Sequence, residues 1–133
     1  MLEKKWAIRL IRISAIFGVI GTVLGSHMAG AGSYAFRPIH AHILLVGWLS
    51  MFAWGIFYKN YQINAQKLIS AQGWTGIIGA IGLTAGMWLD FIEPFGENKL
   101  LSLPLYIGGG TILLVSFVLF AVITFKIKPT ESK

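Results

Sequence analysis

The chain has 133 residues, 56% hydrophobic and 12% charged, with a mean hydropathy of +0.72, too little polar surface to coat a soluble globule of this size. An integral membrane protein is expected. The absence of cysteine excludes disulfides, thiolate metal sites and thiol catalysis, and the net charge of +6 comes from lysines and arginines scattered at segment ends with no nucleic-acid-binding motif, so membrane orientation explains it better than a nucleic-acid partner.

Hydropathy divides the chain into four apolar segments, roughly 6–28, 38–58, 71–91 and 103–125. Each is close to the length a spanning helix needs. Backbone groups in lipid must be satisfied within the segment, so an all-α, integral membrane four-helix bundle is predicted, forming one transmembrane domain over residues 1–133. The connections AGAGSYAFRP, KNYQINAQKLISAQ and DFIEPFGENKLLSLP are polar or rich in glycine and proline, as short links between antiparallel neighbours require.

The first segment carries Trp6 as an interfacial anchor, then Ser14, Gly18, Gly21 and Gly25 at helical spacing, and His27 near its tail. The small residues let another backbone approach closely, or leave room for a flat cofactor. Ala29-Gly30-Ala31 resembles a signal-peptidase site, but the apolar stretch before it exceeds the usual signal length, so a permanent helix is expected.

The second segment, FRPIHAHILLVGWLSMFAWGIFYK, places His40 and His42 at the head of a spanning helix. An ionisable side chain there is costly and is a functional candidate by default. At about 100° per residue, His40 shares a face with Leu44, Gly47, Met51 and Tyr58 and, less closely, Gly55, whereas His42 points about 200° away. The pair is not expected to ligate one buried metal from a single helical face.

The third segment repeats the glycine band at Gly79, Gly82 and Gly86, and the fourth opens on Gly108, Gly109 and Gly110. No strand or lysine accompanies that last run, so close packing is expected there rather than a phosphate loop. Trp48, Trp54, Trp74 and Trp88 are expected to pack or face lipid. Asp90, Glu93 and Glu97 are expected in a solvated loop, with a proton or metal role as the alternative.

Basic residues alternate unequally. Lys4, Lys5, Arg9, Arg12, Lys59, Lys67, Lys126, Lys128 and Lys133 fall on one side, against Arg37 and Lys99 on the other. Both termini are therefore expected in the cytoplasm. In a bacterial inner (cytoplasmic) membrane, this multi-pass chain would put all three histidines near the periplasmic face.

Neutral imidazole is a good iron ligand, and a six-coordinate haem needs a second ligand opposite the first. His40 is the first candidate, with Gly47 and Met51 beside it; His27 is the next, then His42 or a residue from a second copy. Arg37, at the polar boundary, could pair with a haem propionate. The alternatives are hydrated interfacial histidines with Arg37 as an anchor; a copper-binding or copper-delivery site from His27, Met28, His40 and His42; and a cofactor-free assembly subunit of a respiratory complex. The glycine-rich faces also make a homo-oligomer plausible, because four short helices offer little room for a whole porphyrin.

The string RPIHAHILLVGWLSMFAWGIFY, residues 37–58, resembles the second transmembrane helix of haem–copper oxidase subunit I, especially the C-family oxidases and nitric oxide reductases. The resemblance puts Arg37 on that family's arginine, His40 on the histidine that ligates the low-spin haem b, and Leu44, Leu45, Val46 and Trp48 on the apolar run that follows. The chain also resembles small stand-alone membrane proteins with a His-x-His-x-x-x-x-Gly-Trp signature that are often grouped with oxidase subunit I. No histidine occurs after residue 42, so one copy lacks the ligands for the family's binuclear centre and is not a complete terminal oxidase. What the resemblance implies is a membrane haem b protein that carries an electron to or from a respiratory-chain partner, or senses a diatomic gas.

Overall fold

The computed structural model describes residues 2–94, 96 and 99–127. Among them are four helices long and apolar enough to cross a membrane: α1 (Leu2–Ala31), α2 (Arg37–Asn60), α3 (Gln66–Ile92) and α4 (Ser102–Thr124). The chain is thus an all-helical, multi-pass membrane protein, its helices extending a few residues beyond the apolar segments at most ends. Glu97, Lys128 and Lys133 lie outside the described residues.

The helix ends follow from local chemistry. Gly32 leaves α1 at φ +62, while the Gly32 and Ser33 amides donate to the carbonyls of Ala29 and Met28 at 3.3 and 3.2 Å. This pairing closes the last turn around a left-handed residue that glycine adopts without steric cost. Pro38 stands in the first turn of α2, where its missing N–H loses nothing.

α1 and α2 run antiparallel in close register. A Cβ added at Gly25 would meet the His40 ring, one at Gly21 would meet Leu44, and one at Gly18 would meet Trp48. On the opposite side of the seam, a Cβ at Gly47 would run into Phe17 and one at Gly55 into Ile11 and the Ala7 carbonyl. α3 and α4 form the second antiparallel pair. There, Gly79, Gly82 and Gly86 lie against the backbones of Leu113, Gly109 and Tyr106, a small-residue seam that lets main chains touch.

The two pairs join at the end that carries residue 2. Trp6 of α1 lies over Gly73, donates from Nε1 to Ser70 Oγ at 3.3 Å and meets Trp74 edge-on at 5.6 Å. Gln66 donates to Glu3 at 3.3 Å. Trp54, Phe57 and Tyr58 of α2 pack with Phe117 and Phe120 of α4. Below them, a single β-bridge links Ile63 to Ile127. At the core of this end, fully buried Tyr58 donates to Gln72 Oε1 at 2.7 Å, Gln72 donates to Ser116 Oγ at 3.2 Å, and Ser116 donates back to the Gln72 carbonyl at 3.0 Å. The loop ties α2, α3 and α4 together with every polar atom partnered, the condition for burying such groups at acceptable cost.

At the other end α1 and α3, which run parallel, separate. The predicted alternation of ends holds for the described residues: Lys4, Lys5, Lys59, Lys67 and Lys126 lie toward the joined end, while Arg37 and Lys99 lie toward the open one.

One element departs from the sequence expectation. The spacing of about 100° per residue takes residues 38–58 as α-helix, yet Ile43–Ser50 is π-helical. Ser50 Oγ donates to the Leu45 carbonyl five residues back at 2.8 Å, matching the wider turn. Such segments recur at functional sites, and this one starts immediately after His42.

Candidate functional site

His40 stands in the first α-helical turns of α2, its ring half-buried against α1. Its Nδ1 lies 2.9 Å from the carbonyl oxygen of Gly21. A carbonyl has no proton to give, so Nδ1 carries the hydrogen and donates it. In the neutral ring, Nε2 then keeps its lone pair, and no other hydrogen bond engages it among the described residues. This is the arrangement by which proteins hold a metal-ligating histidine: the second ring nitrogen bonds a backbone carbonyl, fixing tautomer and orientation. The glycines of α1 make it possible, because Gly25 leaves room for the ring where a Cβ would stand 2.9 Å from Cε1 and 3.6 Å from Nε2.

From Leu44 to Gly55 the face predicted for His40 is turned to α1, whereas Tyr58, placed on the same face by helical period, turns to α3 and α4. Leu44, Gly47 and Gly55 all meet α1 along it, and Met51 is fully buried. The room expected beside Gly47 and Gly55 is filled by Phe17 and Ile11. Those glycines therefore serve close helix contact.

His42 points elsewhere, as its 200° offset predicts. Its Nδ1 lies 2.8 Å from the Pro38 carbonyl of its own helix, so by the same reasoning its Nε2 also keeps a free lone pair. Arg37 is exposed at the head of α2, with its guanidinium 4.5 Å from the centre of the Tyr34 ring, a cation–π contact at the polar boundary.

His27 shares this end of the molecule but not this side of α1. It lies about 200° around the helix from Gly25 and lines a groove with Val23, Leu24, Phe36 and Trp88. One copy of the chain therefore does not bring His27 opposite His40. Among the described residues no group of three or more histidine, aspartate or glutamate side chains is close enough to hold a metal ion.

Asp90, expected in the connecting loop, lies in the last turn of α3. Asp90 pairs with Lys99 at 3.1 Å and accepts from Ser102 Oγ at 3.4 Å. The hydrogen bond from Lys99 to the Asp90 carboxylate and the charge of that carboxylate, with Glu93 adding to it, raise the Lys99 pKa above the usual lysine value.

Two features escape the sequence. The Gly21 carbonyl is a main-chain partner that any residue at position 21 would supply, so no side chain marks it. The polar loop of Tyr58, Gln72 and Ser116 includes a bond between residues 44 positions apart, although a glutamine inside an apolar segment is a signal that could have been followed. No protein-family model, curated protein or solved structure matches the chain.

Proposed function

We propose that this chain is a b-type haem-binding protein of the membrane, with His40 as an iron ligand, serving electron transfer or gas sensing. The observation that carries the proposal is the hydrogen bond from His40 Nδ1 to the Gly21 carbonyl at 2.9 Å, which leaves Nε2 as the ligating atom. The resemblance of residues 37–58 to the haem-ligand helix of oxidase subunit I points to the same histidine. His27 lies on another side of α1 and His42 points about 200° away from His40 on the same helix, so the second ligand is a histidine of a second copy. In this account both termini are cytoplasmic and His40 lies near the periplasmic face of a bacterial inner membrane, consistent with the basic residues gathered at the joined end.

A bound haem supplies a one-electron iron couple. The chain's own residues do the rest. His40 holds the metal and the Gly21 carbonyl keeps its ring from turning. The apolar helices lower the local dielectric, which disfavours added charge, while Arg37 offers a guanidinium at the boundary for a carboxylate. No side chain is required to make or break a bond.

Copper is the second reading, favoured by one observation: His42, like His40, has Nδ1 held by a carbonyl and Nε2 free. Metal and pyridine-haemochrome analysis of protein purified from haem- and copper-supplemented cells separates the two. Stoichiometric haem iron supports the first reading, and copper without iron supports the second. A preparation with neither contradicts both.

A further inference from the structure

α1 and α3 are joined at one end by Trp6 and diverge toward the other, and the space between them is an apolar groove open to the side. Its main part, about 660 Å³, is walled by Ile13, Ile16 and Ile20 of α1 and by Ile77, Ile81 and Ala85 of α3. A second part of about 430 Å³ shares Ile20 and Trp88 with the first and ends at His27 and Phe36. From Ile13 to His27 the groove follows α1 for 14 residues, about 21 Å at the helical rise.

Its dimensions narrow the range of occupants. The main part runs along α3 from Ile77 to Leu89, about 18 Å, which spreads its volume over a cross-section of roughly 40 Å². That admits a methyl-branched chain.

The chemistry of the open end narrows them further. The lining holds one ionisable group, the exposed imidazole of His27, which makes no hydrogen bond among the described residues. The Thr84 hydroxyl is already given to the Ala80 carbonyl at 2.7 Å. Beside His27 lie the rings of Phe36 and Trp88, 5.5 Å apart and tilted by 33° to each other, an apolar aromatic wall. No lysine or arginine lines either part of the groove, so nothing in its wall calls for a phosphate.

The geometry points to a binding site for an isoprenoid quinone. The branched tail lies between α1 and α3, the ring rests on Phe36 and Trp88, and a ring carbonyl accepts a hydrogen bond from His27. Carbonyl, ring and tail each meet the one wall suited to them. The site needs no iron, so it stands or falls separately from the haem reading.

The test uses the full chain in phosphatidylcholine nanodiscs, titrated with a ubiquinone carrying a ten-carbon tail and followed by tryptophan quenching and by quinone retained on gel filtration. Saturable binding near one quinone per chain is expected. His27→Ala should weaken it at least tenfold, and Ala85→Trp, which fills the groove, should abolish it; circular dichroism checks that both variants fold. Retention by Ala85→Trp equal to that of the parent would mean simple partition into the bilayer and would overturn the site. Displacement by an equal concentration of stearic acid would make it a general acyl-chain groove and would also overturn it, as would unchanged affinity in His27→Ala.

Discussion

The ring of His40 is fixed by a main-chain atom of another helix, the Gly21 carbonyl 2.9 Å from Nδ1, and two glycines of α1 make that approach possible. The chemistry of the candidate ligand and the packing of α1 on α2 are therefore one feature. A change that separates the helices also releases the histidine.

Gly25→Leu is expected to destabilise the protein by about 1–3 kcal/mol, since the added atoms must displace the imidazole from a filled seam. Even a Cβ there comes within 2.9 Å of His40 Cε1. Gly30, on the same helix, has nothing within 4 Å of its Cβ position, so Gly30→Ala should be neutral or stabilising by up to about 1 kcal/mol. Thermal unfolding in detergent compares the two, and equal melting temperatures would show that the seam is not tight.

The α3–α4 seam is expected to be less forgiving. A Cβ at Gly109 meets the backbone of Gly82 and Leu83, which has no rotamer by which to retreat. Gly109→Ala should cost about 1–3 kcal/mol, while Gly108→Ala, facing open space, should not. The same melts measure it.

Tyr58→Phe removes the donor to Gln72 Oε1 and leaves a buried acceptor unpaired, at a cost of about 1–3 kcal/mol. Gln72→Leu strands the Tyr58 hydroxyl, while Ser116 keeps its bond to the main-chain carbonyl of residue 72. The double variant should lose less than the two single losses added together, because neither partner is left alone. Strict additivity in a double-mutant cycle would contradict the network.

Much of this architecture is legible in the sequence. The four spanning segments follow from hydropathy, and the glycine spacing on α1 and α3 identifies the faces that pack. The shared face of His40, Leu44 and Gly47 follows from helical period. What is not legible is what lies across each face. Gly47 signals space in the string, but whether Phe17 or a cofactor fills it depends on the register of α1 against α2. The π-helical stretch Ile43–Ser50 escapes for a similar reason, since its residues carry no local signal against ordinary α-helix. His27 and His40 share an end by counting, yet the side each takes depends on where α2 and α3 sit around α1.

The loop between α3 and α4 gives a pH dependence. The Asp90 carboxylate, 3.1 Å away, raises the Lys99 pKa. A raised amine contributes its stabilisation fully below the ordinary lysine value and loses it as pH climbs through the higher folded value. Lys99 is half exposed, so the effect on overall stability is small, and the ammonium itself is the better reporter. Acetylation of Lys99 near pH 10, followed by mass spectrometry, should be faster in Asp90→Asn than in the parent. Equal rates would show that the pair does not hold in solution.

The most direct measurement is the reduced-minus-oxidised visible spectrum of the purified protein and of His40→Ala, each expressed with ample haem. The parent should show the Soret and α bands of a b-type haem, and His40→Ala should lose them or shift them to those of a changed ligand set. A parent without haem bands, or bands unaltered in His40→Ala, would contradict His40 as the ligand that the Gly21 carbonyl prepares.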